Sequence, residues 1–193
     1  MSKRIKAKWI ATTAIFVVLI AVGGFIRIPI GAVPITLQTI MVLLAGGIGG
    51  KKVGFFATLI YIILGLAGVP LFSAGGGITY LLYPTFGYIF AFLIGAIIAG
   101  CGKSIKGRIL FNLIAVLVIH LIGVTYFYLM GNVFLKATDT IFTSINQNPV
   151  YTGAELSLWQ AFLTGSLIFL PVDIVSAIVG AIVSEKVSKI VNK

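Results

Sequence analysis

The sequence predicts an all-α integral membrane protein with six transmembrane helices, and three observations lead to that prediction. Of the 193 residues, 60% are hydrophobic and only 9% are charged, whereas a soluble domain is about one quarter charged. Several uncharged runs approach or exceed the roughly 20 apolar residues that a spanning helix needs. The basic residues gather between these runs, as they do in loops beside a membrane. Disorder is excluded because disordered chains are poor in apolar residues.

The uncharged runs place the six helices in order along a single transmembrane domain, residues 1–193. Their predicted ranges are 9–27, 36–50, 53–68, 86–102, 109–135 and 159–185. The charge-free run 53–102 is long enough for two passes. Helix-breaking residues divide it in the middle, namely Gly68, Pro70, Gly75, Gly76, Gly77 and Pro84. The second, third and fourth helices are expected to be short.

The distribution of basic residues predicts the orientation of the helices. With six passes, all but two of the 14 Lys and Arg residues fall on one side, and the exceptions are Arg27 and Lys136. Positively charged loops stay cytoplasmic, so both termini are expected inside the cell. The net charge of +10 therefore indicates topology and contact with anionic membrane lipid, and no nucleic-acid partner is expected. A cleaved signal sequence is disfavoured, because the first apolar run is too long and no Ala-x-Ala site follows it.

The sequence contains few residues that catalysis would use. One Cys and one His exclude an internal disulfide and a four-ligand His/Cys zinc site, so no metal and no cofactor are expected. The glycine-rich stretch before Lys51 lacks the Ser or Thr that completes a phosphate-binding loop. We therefore expect no enzyme activity and no ATPase within this chain.

Two external connections differ from ordinary solvated loops. Segment 69–86 contains no charge and is rich in aromatic and aliphatic residues. Irregular backbone is tolerated at membrane depth only where it is buried in protein or lines a cavity, and glycine allows close approach of the backbone. We expect a lid or pocket wall folded over the helix ends, with a structural re-entrant plug as the alternative. Segment 29–38 is held extended by two prolines.

The end of segment 29–38 begins the second helix with hydrogen-bonding side chains, Thr36 and Gln38. An ordinary helix cap explains Thr36 as well as a ligand contact does. The third external segment, 136–158, is polar and is predicted to be a conventional solvated loop.

Asp173 is the strongest indication of a site, because a carboxylate inside a membrane helix is costly and is usually functional. Pro171 removes a backbone donor and predicts a kink. Helical spacing places small, weakly polar residues on the same face, so Asp173 is expected to point into the bundle. A polar pair that only packs the bundle is one alternative. A proton relay is another, with His120 as the only other candidate, although we interpret His120 as a packed core histidine.

Several motifs closely resemble the BioY family, the biotin-specific substrate-binding (S) component of energy-coupling factor (ECF) transporters. They are Val33-Pro-Ile-Thr-Leu-Gln-Thr39, Leu44-Ala-Gly46, the stretch 61–68, Val69-Pro-Leu-Phe-Ser-Ala-Gly75 and Pro84-Thr-Phe-Gly-Tyr88. The resemblance covers nearly the whole chain. It implies a six-helix protein of the bacterial plasma membrane that binds biotin near the outer surface. It also implies assembly with a transmembrane coupling subunit and two cytoplasmic ATPase subunits.

The resemblance extends to individual residues. Ala7 and Ala11 form a small-xxx-small pattern that looks like the family's contact with the coupling subunit. In the last helix the family commonly reads Pro-Gly-Asp-x-x-Lys, whereas here Pro171-Val-Asp173 is followed by Ser176 in place of the lysine. The family's usual Gly-Gly-Tyr is replaced by Phe86-Gly-Tyr88.

Together these features predict how biotin would be held. Asp173 is expected to accept hydrogen bonds from the ureido N–H groups. The remaining predicted binding residues are Phe72, Tyr80 and Tyr88 against the apolar rings, Ser73 and Thr85 at polar edges, and Thr36, Gln38, Gly76, Gly77 and Ser176 around them. Arg27 is the candidate cation for the valerate carboxylate, and an interfacial anchor is an equal alternative. A stand-alone proton- or ion-coupled carrier is the alternative function.

Overall fold

The computed structural model describes residues 3–28, 33–137 and 156–191, and most of them are helical. The helices are α1 (Lys3–Phe25), α2 (Gln38–Leu66), α3 (Phe86–Ala99), α4 (Ile105–Ala137), α5 (Leu158–Phe162) and α6 (Leu170–Val191). Two short antiparallel strands, β1 (Arg27–Ile28) and β2 (Ile35–Thr36), lie between α1 and α2. A 3₁₀ turn (Ile78–Leu82) lies between α2 and α3. The predicted all-α membrane fold is confirmed.

Helix α2 is a hairpin of two arms, because the chain leaves the helical path at Gly50. This glycine has a φ of +80°, a conformation that residues with a Cβ rarely adopt. An ideal Cβ on Gly54 would lie 2.9 Å from the Cα of Gly46, whereas eight residues of straight helix span about 12 Å. The arms 38–49 and 51–66 therefore fold back on each other. They correspond to the predicted second and third helices, 36–50 and 53–68.

The last predicted helix, 159–185, is bent. Helices Leu158–Leu167 and Leu170–Ile190 meet at 41°, and a π-helical turn, Leu163–Leu167, lies just before the bend. Pro171 has no N–H to donate to the carbonyl of Leu167, so the helical ladder is interrupted there. The kink predicted at Pro171 is confirmed.

The lengths and surfaces of the helices suit a bilayer. By length and composition, Ala7–Phe25 and Ile105–Val133 can each cross a membrane, as can the bent pair that ends at Ile190. Gln38–Leu66 is also long and apolar enough, but its reversal at Gly50 divides it into two shorter passes. Ile10, Ile15 and Val18 on the outer face of α1 are each more than half exposed, as lipid-facing residues are.

Buried polar contacts join the helices at the end of the bundle that carries Lys51, Lys52, Lys103 and Lys106, here named the lysine-rich end. Arg108 Nε donates to Glu185 Oε2 at 3.1 Å, and its Nη2 donates to Ser188 Oγ at 3.2 Å. Its Nη1 donates to the carbonyl of Gly47. Although the sequence suggests a loop charge, Arg108 is buried and ties α4 to α6 and the α2 hairpin.

Candidate functional site

A cavity of about 60 Å³ lies among the helix ends opposite the lysine-rich end. The strand segment before α2, the first turns of α2 and α3, the middle of α4 and the start of α6 form its walls. Its lining residues are Val33, Pro34, Ile35, Thr36, Gln38, Thr39, Ser73, Thr85, Tyr88, Ile89, Phe92, Ile119, His120, Phe169 and Asp173. Most of this surface is aliphatic or aromatic, and Asp173 is the acidic residue on it.

Asp173 belongs to a chain of three hydrogen-bonded side chains. Its Oδ2 lies 3.0 Å from Nε2 of His120, and Nδ1 of His120 lies 2.7 Å from Oγ of Ser166. The side chains of His120 and Asp173 are only 5% and 13% exposed. Ser166 lies in the π-helical turn before the bend, so the irregular backbone there brings its hydroxyl to the imidazole. The arrangement occupies one oxygen of the Asp173 carboxylate and leaves the other for a further donor.

Tyr88 fixes the orientation of the histidine from the other side. Its ring meets the His120 ring edge-on, with 6.2 Å between the ring centroids. Its hydroxyl donates to the carbonyl of Gly165. Tyr88 thus connects α3 with the π-helical turn and forms part of the cavity wall.

Gln38 supports the cavity from α2. Its Nε2 donates to the Tyr61 hydroxyl at 2.5 Å, and that hydroxyl donates to the carbonyl of Leu71 at 3.2 Å. The backbone N–H of Gln38 donates to Oγ1 of Thr36 at 3.3 Å. The cap of α2 is Leu37, which makes no side-chain cap bond, so Thr36 is not the capping residue. Thr36 precedes that cap, and it also lines the cavity.

The 69–86 segment folds over the ends of the helices, as expected. The backbone groups of Phe72 and Gly75 pair with each other, and the N–H of Gly77 donates to the carbonyl of Gly65 at 2.7 Å. The ring of Phe72 is 1% exposed and lies 5.5 Å from the Tyr61 ring, centroid to centroid. Hydrophobic burial therefore holds this segment against the bundle. Burial raises the pKa of the Tyr83 phenol, and Tyr80 adds to the shift.

The model of the BioY family matches residues 1–193, the whole chain. The chain belongs to the BioY family. A probable biotin transporter BioY of Pyrococcus horikoshii is 41% identical over 182 residues, covering 94% of this chain and 96% of that protein. Another, of Lysinibacillus sphaericus, is 36% identical over 184 residues, covering 92% of this chain and 85% of that protein.

A solved structure has the same fold as this BioY-family chain. It is a crystal structure of the S-component for biotin from an ECF-type ABC transporter, with a TM-score of 0.69 and 25% sequence identity. The alignment covers 98% of this chain and 95% of the other. The relatives are named as transporters rather than enzymes. The family resemblance read from the sequence is confirmed, and the chain is a multi-pass membrane protein.

The structure brings six of the predicted binding residues of this BioY-family chain to one cavity. They are Thr36, Gln38, Ser73, Thr85, Tyr88 and Asp173. They come from four separate parts of the sequence, and the fold gathers them at the helix ends. Whether they bind a ligand stays a prediction.

Six other predicted binding residues do not line the cavity. Phe72 and Tyr80 pack against each other, with ring centroids 4.5 Å apart. Burial of these rings in the core is more favourable than their exposure to the cavity. Ser176 is buried beyond Asp173 towards the lysine-rich end. Gly76 is backed by the carbonyls of Val69 and Gly65, while Gly77, with a φ of +105°, shapes the turn before the 3₁₀ helix.

Arg27 is also outside the cavity wall. Its Nη1 donates to the carbonyl of Ser73, and the residue is exposed. Since Ser73 lines the cavity, Arg27 joins the strand β1 to the 69–86 segment at the rim. Sequence reasoning did not foresee this contact. The two sequence interpretations of Arg27, a carboxylate contact and an interfacial anchor, stay predictions.

Sequence reasoning missed the role of His120. It is a buried, hydrogen-bonded histidine as interpreted, but it also lines the cavity and pairs with Asp173. The sequence did contain one indication, because His120 and Asp173 were the two candidates for a proton relay within the membrane. The apolar lining residues Ile89, Phe92, Ile119 and Phe169 were missed as well, since nothing distinguishes them in sequence from lipid-facing residues.

Two further predictions concern partners and metals. Ala7 and Ala11 are exposed on α1, so the proposed partner contact is accessible. Of the predicted solvated loop 136–158, residues 138–155 lie outside the described residues. Within the part of the chain that the structure describes, no group of three or more His, Cys, Asp or Glu residues could hold a metal ion.

Proposed function

We propose that this chain is the biotin-capturing S component of an ECF-type importer. The observation that carries the proposal is a buried carboxylate, Asp173, on a cavity whose other walls are mostly apolar. The chemistry of this lining suits a ligand with apolar rings and a few N–H donors, and the cavity of about 60 Å³ must widen to admit one. Biotin has this chemistry, and the relatives named as biotin transporters add independent support.

The proposed ligand contacts follow from the geometry of the cavity. Asp173 Oδ2 accepts from His120, and Oδ1 accepts from a ureido N–H. Charge-assisted bonds of this kind are the stronger ones in proteins, more so where water is excluded. The thioether ring and the alkyl chain of biotin contact the apolar wall formed by Phe92, Ile119 and Phe169. The hydroxyls of Ser73 and Thr85 bond the remaining polar edges.

The proposed orientation places the lysine-rich end in the cytoplasm and the cavity outside, following the distribution of basic residues. Biotin then enters from the outer surface, and movement of the 69–86 segment controls its exit. The exposed small residues Ala7 and Ala11 allow a helix of the coupling subunit to approach α1 closely. Energy comes from the two ATPase subunits, because the chain itself lacks a phosphate-binding loop.

The test of this proposal is equilibrium binding of radiolabelled biotin to the detergent-solubilised protein. We expect saturable binding that excess unlabelled biotin displaces and that thiamine, which lacks a ureido ring, does not displace. Absence of saturable binding in a folded preparation would reject the proposal. Uptake into vesicles containing this chain alone, driven by a proton gradient, would instead support the stand-alone carrier.

Coupling is tested separately from capture. The double variant Ala7→Leu, Ala11→Leu is expected to bind biotin like the wild type and to lose copurification with the coupling subunit. The matched control is Ile15→Leu, at another exposed position of α1, which should copurify normally. Copurification of the double variant at the wild-type level would show that this face is not the contact.

A further inference from the structure

The cavity contains no permanent positive charge among the described residues that line it. Its titratable side chains are Asp173, His120 and the phenol of Tyr88. Arg27 lies at the rim, and its described hydrogen bond goes to the backbone of Ser73 rather than to a cavity carboxylate. With a neutral imidazole and an ionised carboxylate, the cavity wall therefore has a net charge of −1.

This charge matters because biotin carries a carboxylate, which is ionised at neutral pH. A second negative charge in a cavity already charged −1 is unfavourable. The repulsion is stronger there than in water, because the effective dielectric constant is lower. Either the ligand's carboxylate stays in solvent, or the site gains a positive charge when the ligand binds.

His120 can take up that charge without moving. In the neutral state, Nε2–H donates to Asp173 Oδ2, 3.0 Å away. The Ser166 hydroxyl donates to Nδ1, 2.7 Å away. In the protonated state, Nδ1–H donates to Ser166 Oγ instead, because a serine hydroxyl both donates and accepts. Rotation of one hydroxyl hydrogen therefore satisfies both states of the ring.

The surroundings of the imidazole contain no competing charge in the described structure. Tyr88 from α3 meets the ring edge-on, and α2 presents the uncharged side chains of Gln38 and Thr39 to the same cavity. Asp173 from α6 bonds Nε2 of the ring. The pair His120–Asp173 consequently sets the charge of the site, and its proton occupancy changes that charge from −1 to zero.

We infer that biotin binds together with one proton, which His120 takes up, so that capture is linked to pH. This inference rests on the proposed function. A complex that holds one more proton than the free protein gains affinity as the pH falls, by at most tenfold per pH unit. Histidine is the side chain that ordinarily titrates between about pH 5 and 8. We therefore expect biotin affinity to weaken as the pH rises from about 6 to about 8, by at most tenfold per unit.

The decisive experiment counts protons by calorimetry of biotin binding to the full-length protein in detergent. Binding enthalpies in buffers with different heats of ionisation give the number of protons taken up. For the wild type we expect proton uptake that approaches one per biotin towards about pH 8 and falls towards zero at about pH 5.5, the range over which histidines ordinarily titrate. Biotin methyl ester, which lacks the negative charge, should bind with almost no proton uptake.

Two variants identify the group that takes up the proton. His120→Gln is expected to bind biotin with no proton uptake at either pH. Thr125→Ala is the matched control on α4, because this exposed hydroxyl bonds only the carbonyl of Leu121 in the described structure; it should behave as wild type.

Three results would overturn the inference while leaving the proposed function intact. They are saturable wild-type binding with no proton uptake at about pH 8, equal uptake with the methyl ester, and wild-type uptake in His120→Gln. Loss of uptake in Thr125→Ala would remove the assignment to His120. Absence of saturable biotin binding at any pH would reject the proposed function and this inference together.

Discussion

Replacing Asp173 by Asn removes a negative charge from the cavity wall and preserves the shape of the side chain. The amide oxygen of Asn can still accept from Nε2 of His120, so the contact at 3.0 Å is retained and the fold should be undisturbed. What changes is the group that faces the ureido N–H of biotin: with its one oxygen bonded to His120, Asn presents an N–H donor there in place of a carboxylate acceptor.

A hydrogen bond to a charged partner contributes about 1.5–3 kcal/mol. Since about 1.4 kcal/mol corresponds to a factor of ten in affinity, Asp173→Asn should raise the Kd for biotin by roughly 10- to 150-fold. The Kd of biotin methyl ester, measured by displacement of labelled biotin, is compared as well. The ester has no carboxylate, so its affinity reports the lost acceptor without any change in repulsion of the ligand charge.

The assay is equilibrium binding of radiolabelled biotin, with thermal unfolding to establish that each variant is folded. Glu185→Gln is the matched control, because it makes the same chemical change in the same helix about 18 Å away. Glu185 pairs with Arg108 and Lys189 at the lysine-rich end, so its loss should leave the Kd within about twofold. A folded Asp173→Asn protein that binds biotin as tightly as the wild type would refute the role of Asp173 as a ligand acceptor.

Three more predictions follow from packing. Gly46→Val should lower the Tm by several degrees, because a Cβ there would meet the carbonyl oxygen of Ala96; an unchanged Tm would contradict the close approach of α2 and α3. Phe72→Ala should reduce the free energy of unfolding by about 3–5 kcal/mol, because Phe72 is 1% exposed. The measurement is a denaturant titration, and a loss below about 1 kcal/mol would argue against that burial. Arg27→Gln should speed biotin dissociation several-fold in a release assay by freeing the Ser73 carbonyl, and an unchanged rate would show that this link does not restrain the rim.

The helices could be predicted because helices that span a membrane require a particular pattern of residues. Apolar runs must be long enough to span, and lysines collect between them. Lys51 and Lys52 therefore indicated the reversal that the structure places at Gly50. Pro171 likewise indicated the bend before α6, because a missing backbone donor acts locally.

The site could be predicted only in part. Asp173 was identifiable, because a buried charge is costly wherever its partners lie. Phe72 and Tyr80 were expected to face a ligand. In a segment without regular helix or strand, however, the direction of each side chain depends on the local turns. The pairing of Phe72 with Gly75 turns those rings into the core.

By itself, the sequence determined the membrane class, the number of passes, the family and the presence of one acidic residue within the last span, since each depends on composition or on short local motifs. Only the tertiary structure decided that His120 and Ser166 join Asp173. That contact depends on the alignment of α4 against α6 and on the π-helical turn between α5 and α6. Such alignments result from the packing of many weak contacts, and no single stretch of sequence contains them.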